Sequence, residues 1–436
     1  MQVEEYRSHG AGSPTALWQW KKGGQEVVFA RGQSASIGAL QKVASAFLPE
    51  GYPSSVTPDY VSFQVWDTLQ GLSTYIRSMI STQVLLAGFG VGEASKTAAG
   101  ATFQWFLRDF TGMLGGILFT LYQGSSLDSN AKQWRLAADF INDLAMLLDL
   151  LSPLFPNAFL TMLCLGSVLR AVTGTASGAT RAALTQHFAL RNNAADISAK
   201  EGSQETLATI TGMLLGMAVA RWTAGHVVLM WTVFLSLTAF HMYANFRAVR
   251  SLCLTSISPE RAALLLQSFR DSTHESVLEP HELPGLETVL PLPRQLRRSA
   301  PISDHVVLGA RLSALRLGPC AETLHLLQQR YRGEMYLLLY QDRLVHVILH
   351  RGATPAHILQ SYVHALRLVE ALSGGLRGFI LEKDESGIDA AELEAAVWMT
   401  EYYDTFLEKL QSKSWATDKV LLAPREWRAS WKIDTS

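Results

Sequence analysis

Six long apolar stretches, separated by polar connections, run through the first 250 residues and constrain the fold more than any other feature. Each is close to the length of about 20 mostly apolar residues that a helix needs to cross a bilayer. Polar residues interrupt several of them, so a soluble helical bundle with a large core remains the alternative. The stretches are residues 72–92, 101–122, 136–155, 158–179, 206–223 and 225–246.

Charge is distributed unevenly along the chain. The first 250 residues contain 32 charged residues, and the remaining 186 contain 43. The whole chain is 17% charged, whereas soluble domains average about 25%. A change of this size in charge content between two parts of a chain indicates a domain boundary or a change of solvent. The net charge of −1 gives no bulk attraction to nucleic acid, so no nucleic-acid partner is expected.

Small residues and basic residues both favour the membrane interpretation. Glycines recur four residues apart within the apolar stretches, as they do where helices pack closely in lipid. If six helices cross, the basic residues concentrate on the side of both termini, and only Lys96 and Arg221 lie opposite. The positive-inside rule then predicts that both termini are cytosolic. The glycine pairs are Gly88/Gly92, Gly112/Gly116, Gly174/Gly178 and Gly212/Gly216.

The predicted architecture is mainly α, with a multi-pass transmembrane bundle of about six helices followed by a small α+β domain. The boundaries are a polar tail at 1–50, a helical membrane domain at 51–255, a Pro-rich linker at 256–302 and a soluble domain at 303–436. A hairpin is expected in the tail, around Gly23-Gly24. In the soluble domain we expect strands at 306–317, 335–340, 344–349 and 420–423, and helices at 320–332, from Thr354-Pro355 and at 390–413.

Ionisable residues inside the apolar stretches are the first candidate site. Charge within a bilayer usually faces a bundle interior, a partner charge or water. Asp139 and Asp143 are four residues apart and share a helix face, so they repel unless a cation or a shared proton lies between them. The site is either a solute or proton pathway or a set of interhelical ion pairs. The candidates are Arg108, Asp109, Asp139, Asp143 and Arg170.

The polar run 181–205, which follows the fourth stretch, is the second candidate site. It combines both signs of charge with amides, and Arg191 and Lys200 would bind a phosphate or carboxylate. The alternative is a charged loop that leads into a capped helix. The residues assigned to ligand binding here are Arg191, Asn192, Asn193, Asp196, Lys200, Glu201 and Gln204.

No metal, cofactor or catalytic site is predicted. The three cysteines are far apart, and the four histidines between 346 and 364 have no cysteine or carboxylate at ligand spacing. Residues 90–97 resemble a phosphate loop, but Ser95 occupies the position where that loop needs glycine. An enzyme that acts through Asp139 and Asp143 lacks a nucleophile–base pair, so an enzymatic role is less favoured.

Two sequence runs resemble the root UVB sensitive family. One is Asn130-Ala-Lys-Gln-Trp-Arg-Leu-Ala-Ala-Asp-Phe-Ile-Asn-Asp143, and the other extends from Gly178-Ala-Thr-Arg through Arg191-Asn-Asn-Ala-Ala-Asp196 to Ser203-Gln-Glu-Thr206. The run Glu426-Trp-Arg-Ala-Ser-Trp431 resembles the animal branch of the family. The resemblance implies a membrane protein linked to vitamin B6 homeostasis, and in plants to root development and auxin transport. It implies no catalytic residues.

The sequence therefore favours an integral membrane protein that binds or transports a small polar or anionic solute. The alternative is a non-catalytic scaffold that recruits partners through its C-terminal domain. The helix number is also similar to one half of a major facilitator transporter, although the charged connection of that family after the second helix is absent. Transport would then require a homodimer or a pair with a related family member.

Overall fold

The computed structural model describes residues 2–5, 16–19, 44–88, 98–123, 127, 130–288, 302–315, 320–374, 385–418 and 420–432. These residues are mainly helical, with a small three-stranded sheet near the C-terminus. The chain divides into two compact units. The helical unit comprises Met1–Tyr122 and Trp134–Leu252, and the C-terminal unit comprises Gln123–Gln133 and Cys253–Ser436.

Six long helices run through the part of the helical unit that the structure describes. They alternate in direction along the chain. The helices are α1 (Tyr60–Gly88), α2 (Ala98–Gln123), α3 (Ala131–Leu151), α4 (Phe159–Phe188), α5 (Ala194–Thr223) and α6 (Val227–Ser251). Antiparallel α1 and α6 are joined by a hydrogen bond from Ser73 Oγ to the Leu237 carbonyl, and parallel α1 and α5 meet where Gly212 approaches Tyr75.

Several helices extend beyond the apolar stretches that predicted them. α1 begins at Tyr60 rather than at 72, and α4 continues to Phe188 rather than ending at 179. The run 181–205 is therefore not a long connection, because only 189–193 lie outside the helices. In the extension of α4, residues 180–188, five of the nine residues are Ala, Leu, Arg or Gln, which are strong helix formers whatever their polarity.

The prediction of six membrane spans is not supported. Among the described residues, two helical segments are long and apolar enough to cross a bilayer, Pro156–Phe188 and Val227–Ser251. They correspond to the fourth and sixth stretches. The other helices carry charges that lower their hydropathy, such as Asp67 and Arg77 in α1 or Arg108 and Asp109 in α2.

The paired glycines have two different environments. A Cβ atom at Gly212 would lie 2.7 Å from Tyr75 Cβ, and one at Gly216 would lie 2.8 Å from Met79 Cβ, so these glycines bring α5 against α1. Gly112 approaches Ser167 of α4 in the same way. Gly174 and Gly178 differ, because a Cβ at either position would meet no atom within 4 Å.

The N-terminal residues pair differently from the predicted hairpin. Strand β1 (Gln2–Glu5) pairs antiparallel with β2 (Ala16–Gln19), so that Val3 lies opposite Trp18. The predicted turn at Gly23-Gly24 and its second strand lie outside the described residues.

The C-terminal unit packs helices on a three-stranded sheet in the order β3–β5–β4. The predicted hairpin of β4 and β5 is present. The parallel edge strand β3 is shorter than predicted, because a glycine with positive φ follows it at Gly309. The elements are α7 (Pro259–Asp271), β3 (Val306–Leu308), α8 (Cys320–Arg330), β4 (Tyr336–Gln341), β5 (Leu344–Leu349), α9 (Pro355–Ser373) and α10 (Glu385–Ser412).

Two predictions for this region are wrong. Residues 256–288, assigned to a linker, are folded, and Phe269, Val277 and Leu283 lie in the hydrophobic core. Ser258 caps α7 and Pro259 occupies its first turn, and this Ser-Pro pair is a helix-start signal. The prolines from Pro280 onward favoured the linker prediction instead. Residues 420–423 form no strand. Instead, the Leu421 amide donates to the Ile257 carbonyl.

Helix α9 is the centre of this core. Thr354 caps it through the His357 amide, as its Thr-Pro start predicts. His364 is buried, and its Nδ1 lies 3.0 Å from the Tyr336 hydroxyl. Burial lowers the pKa of His364 to about 4, because the charged imidazolium would lose its hydration.

The low pKa of His364 predicts a specific loss of stability in acid. Below about pH 6.5 the unfolded chain takes up a proton that the folded chain does not, so this residue lowers the free energy of unfolding as the pH falls. The expected loss is about 2 kcal/mol between about pH 7 and pH 5. In His364→Asn, which keeps an acceptor for Tyr336 but does not titrate, urea denaturation should show a correspondingly smaller pH dependence. An unchanged dependence would contradict the prediction.

Candidate functional site

A polar cavity of about 350 Å³ lies inside the helical unit, between α1, α3, α4 and α5. This volume is at the lower end of the range for small-molecule sites, about 300–1,000 Å³. We call it the polar cavity. It is lined by Gln64, Asp67, Thr68, Gln70, Gly71, Thr74, Tyr75, Arg135, Asp139, Asn142, Gly174, Ser177, Gly178, Arg181, Glu201, Gln204, Glu205 and Ala208.

The glycines of α4 leave the space for this cavity. Gly174 and Gly178 line it on one face of the helix, four residues apart, with Ser177 beside them. Since a Cβ atom at either glycine would meet no atom within 4 Å, a side chain there would start in open space. This pair therefore does not pack one helix against another, as the sequence motif suggested, but keeps one wall of the cavity open.

Two arginines in the wall are each placed between two carboxylates. Arg135 Nη2 lies 2.5 Å from Asp67 Oδ1, and its Nε lies 3.9 Å from Asp139 Oδ2. Arg181 Nη1 lies 2.6 Å from Glu205 Oε2, and its Nε lies 3.9 Å from Glu201 Oε2. Each guanidinium thus makes one close ion pair and one long one.

The cavity has a buried end and an exposed end. Arg181 and Glu205 have side-chain exposures of 42% and 46%, so they form its mouth, where the Tyr75 hydroxyl donates to Glu205. Asp139 is 6% exposed and lies at the buried end. Glu201 is also buried and accepts hydrogen bonds from Gln64 Nε2 and Thr185 Oγ1.

Asp139 differs from the other carboxylates of the cavity. Its Oδ2 is buried and accepts no hydrogen bond from any described residue, and Arg135 Nε, 3.9 Å away, is likewise unsatisfied. A buried polar atom without a partner costs about 1–3 kcal/mol and more when it is charged. This carboxylate is therefore short of a donor in the empty cavity.

A second charged network lies next to the polar cavity, and its ionisable side chains are buried. Arg77 Nη1 donates to Asp143 Oδ1 at 2.6 Å and also to Thr238 Oγ1. His241 Nδ1 lies 3.0 Å from Asp143 Oδ2, and its Nε2 lies 2.8 Å from the Gln70 amide. We call these residues the Arg77 network. It joins α1, α3 and α6, and Gln70 connects it to the cavity.

The predicted intramembrane charges do not form one site. Asp139 lines the cavity, whereas Asp143 belongs to the Arg77 network. Arg170 pairs with Asp149. Arg108 lies 3.9 Å from Asp109 and stacks on the Trp105 ring.

The predicted residues of the 181–205 run contribute unequally. Glu201 and Gln204 line the cavity. Two of the others contact the segment before α1: Arg191 donates to Ser54 Oγ, and Asp196 accepts from the Glu50 amide. Lys200 lies 3.7 Å from Asp196, Asn193 accepts from the Arg191 amide, and Asn192 adopts a positive φ at the turn.

Sequence reasoning missed several important charges. Arg77 lies within the first apolar stretch, where a charge is itself a signal of a buried partner. Arg135 lies one residue before the third stretch and Arg181 two residues after the fourth, so the apolar pattern places both in polar connections. The i,i+4 spacing of Arg135 and Asp139 was a usable signal.

A larger cavity, of about 660 Å³, lies at the opposite end of the helical unit. His226 is the single titratable residue among the described residues that line it. In the part of the chain that the structure describes, no group of three or more His, Cys, Asp or Glu side chains is arranged to hold a metal ion. We therefore assign the candidate site to the polar cavity.

Two family models match the chain almost end to end. Residues 33–273 match the vitamin B6 photo-protection and homoeostasis domain, and residues 276–431 match the C-terminal domain of root UVB sensitive proteins. The chain belongs to the root UVB sensitive family. The helical unit contains most of the first domain. The two charged runs that resemble the family, 130–143 and 178–206, lie within that domain.

Individual relatives cover most of the chain. It is 54% identical to protein root UVB sensitive 3 of Arabidopsis thaliana over 403 residues, which are 91% of this chain and 88% of that protein. It is 42% identical to RUS family member 1 of Dictyostelium discoideum over 58% of this chain and 48% of that protein. Protein root UVB sensitive 2, chloroplastic, of Arabidopsis thaliana is 28% identical over 88% and 83%. No solved structure matches the chain.

The Arg77 network predicts strongly coupled stability effects. Arg77→Met leaves the Asp143 carboxylate buried without its cation and should lower the free energy of unfolding by about 3–5 kcal/mol. Adding Asp143→Asn removes that charge while keeping an acceptor for His241, so the double variant should be more stable than Arg77→Met alone. Thermal denaturation of the four proteins measures the coupling. Additive effects would contradict the network as described.

Proposed function

We propose that this protein is a membrane protein whose helical unit binds a small polar solute in the polar cavity. The observation that supports the proposal is a contrast within one unit. Its interior contains a cavity and paired charges, whereas large apolar side chains cover much of its outer surface. Soluble proteins have the reverse arrangement, and they rarely expose continuous apolar patches beyond a few hundred Å².

Helix α2 has the largest number of exposed large apolar side chains among the described helices. They extend from Phe103 to Tyr122, which is about 30 Å at 1.5 Å per residue. The hydrocarbon core of a bilayer has about the same thickness. These side chains are Phe103, Trp105, Phe106, Phe110, Met113, Leu114, Ile117, Leu118, Leu121 and Tyr122.

Low burial of the two most apolar segments supports the same proposal. In both Pro156–Phe188 and Val227–Ser251, only 17% of the most apolar window is buried inside the protein. A core helix of a soluble protein would bury most of such a window. Lipid accounts for apolar helix surface that the protein itself leaves uncovered.

The basic residues suggest an orientation. Because the six helices alternate in direction, the chain enters α1 and leaves α6 at the same end of the unit, and Arg181, Arg191, Lys200, Arg247 and Arg250 lie near that end. Arg221 lies near the other end. The positive-inside rule would put the basic end, with the mouth of the cavity, on the cytosolic side.

The charges of the cavity guide the choice of solute. Four carboxylates and two guanidinium groups line it, so an anion has less favourable electrostatics than a neutral or cationic solute. The family description names vitamin B6 homoeostasis, and B6 vitamers are small polar ring compounds. They are therefore the first solutes to test, and binding is the step that any transport would require.

Alkaline carbonate extraction tests the membrane part of the proposal. The full-length protein, expressed in its host and detected by an epitope tag, should remain in the pellet because lipid-embedded apolar helices are not displaced by high pH. Release into the supernatant, together with a peripheral membrane protein used as the control, would contradict it.

Filling the cavity tests the binding part. Gly178→Leu should place a side chain in the open space without a clash, and leucine favours a helix over glycine by about 1 kcal/mol. The variant should therefore fold at least as well as the wild type but lose binding of pyridoxine, measured by equilibrium dialysis in detergent. Gly202→Leu is the matched control, because a Cβ atom at Gly202 of α5 would also meet no atom within 4 Å and Gly202 does not line the cavity. Equal pyridoxine binding by both variants would place the solute elsewhere.

A further inference from the structure

The buried end of the polar cavity contains an acceptor with no donor. Asp139 Oδ2 is buried and accepts no hydrogen bond from the described residues, although Asp139 itself lines the cavity. An ionised carboxylate in this position is destabilised until a donor or cation reaches it.

The neighbouring guanidinium group, that of Arg135, does not donate a hydrogen bond to Asp139. Arg135 makes its close contact with Asp67, at 2.5 Å, and approaches Asp139 only to 3.9 Å, which is too long for a hydrogen bond. On the other side, Arg77 and His241 both bind Asp143. The guanidinium groups of Arg135 and Arg77 are therefore each held by another carboxylate.

Carboxylates also outnumber guanidinium groups in the cavity as a whole. Asp67, Asp139, Glu201 and Glu205 face Arg135 and Arg181, which leaves an excess of two carboxylates. The Arg77–Asp143 pair behind Gln70 is neutral and adds nothing to the excess. A solute with a positive group would balance the cavity, whereas a phosphate or carboxylate would increase the repulsion.

We propose that Asp139 recognises a cationic nitrogen of the bound solute, such as a primary ammonium or a protonated ring nitrogen. The solute enters past Arg181 and Glu205, and its nitrogen reaches the buried end, where it donates to Asp139. This inference rests on the proposed function and assigns the class of solute that the same cavity selects.

The proposal predicts a ranking among three probes on the full-length wild-type protein in detergent. Pyridoxamine carries a primary ammonium, pyridoxine carries a hydroxyl in its place, and pyridoxal 5′-phosphate carries an anionic phosphate. Pyridoxamine should bind most tightly and pyridoxal 5′-phosphate most weakly, with a difference of at least about tenfold in Kd. This ranking needs no variant, so a misfolded mutant cannot obscure it.

The variant Asp139→Asn tests the residue itself. It keeps the shape of the side chain but removes the charge, so the affinity for pyridoxamine should fall about tenfold or more, while that for pyridoxine changes less. Asp109→Asn is the matched control, because Asp109 is half exposed on α2 and does not line the cavity. Its affinities should equal those of the wild type, and melting temperatures report whether each variant folds.

The outcomes separate the two proposals. Binding with a preference for pyridoxal 5′-phosphate, or full pyridoxamine affinity in Asp139→Asn, overturns cation recognition and leaves solute binding in place. Failure of the wild type to bind any of the three probes overturns the proposed function itself, and cation recognition with it.

Discussion

The Arg77 network is the interaction on which the arrangement of the helical unit depends. Arg77 is fully buried, and a guanidinium without water is costly unless its partners are complete. Those partners come from two other helices, with Asp143 on α3 and Thr238 on α6. A network that tolerates few other geometries fixes α1 against both helices, and α1 in turn packs most extensively against α5 and α6. The polar cavity lies beside this fixed centre, so its walls are positioned by the same contacts.

Glycine has opposite effects in two parts of this unit. At Gly212 and Gly216 it allows α5 to approach α1 so closely that a Cβ atom would collide with Tyr75 or Met79. At Gly174 and Gly178 the same spacing leaves empty space, and that space is part of the cavity. Two glycines four residues apart thus indicate a helix face without side chains. Whether a neighbouring helix or a cavity occupies that face depends on the tertiary arrangement.

The sequence predicted the existence of the helices better than their ends and their charged partners. Apolar stretches located every long helix of the helical unit, because burial and lipid exposure both select apolar residues. Their ends were missed where charged residues remain helical, as from Arg181 to Phe188. The pairing of Arg77 with Asp143 joins positions 66 residues apart, and no local pattern contains that information. Asp139 and Glu201 were selected from sequence separately, whereas their placement around one cavity follows from how four helices meet.

Hydropathy and surface exposure measure different properties of these helices, and α3 shows how the two can differ. A hydropathy window counts every charge, wherever its side chain points. On α3, Asp139, Asp143 and Asp149 are all buried, whereas Phe140 and Leu144 of the same helix are exposed. The charges of this helix are thus directed inward to partners and to the cavity, and its outward face is apolar. Helices of this kind line a polar cavity with one face and expose apolar side chains on another, so their mean hydropathy understates how apolar the exposed face is.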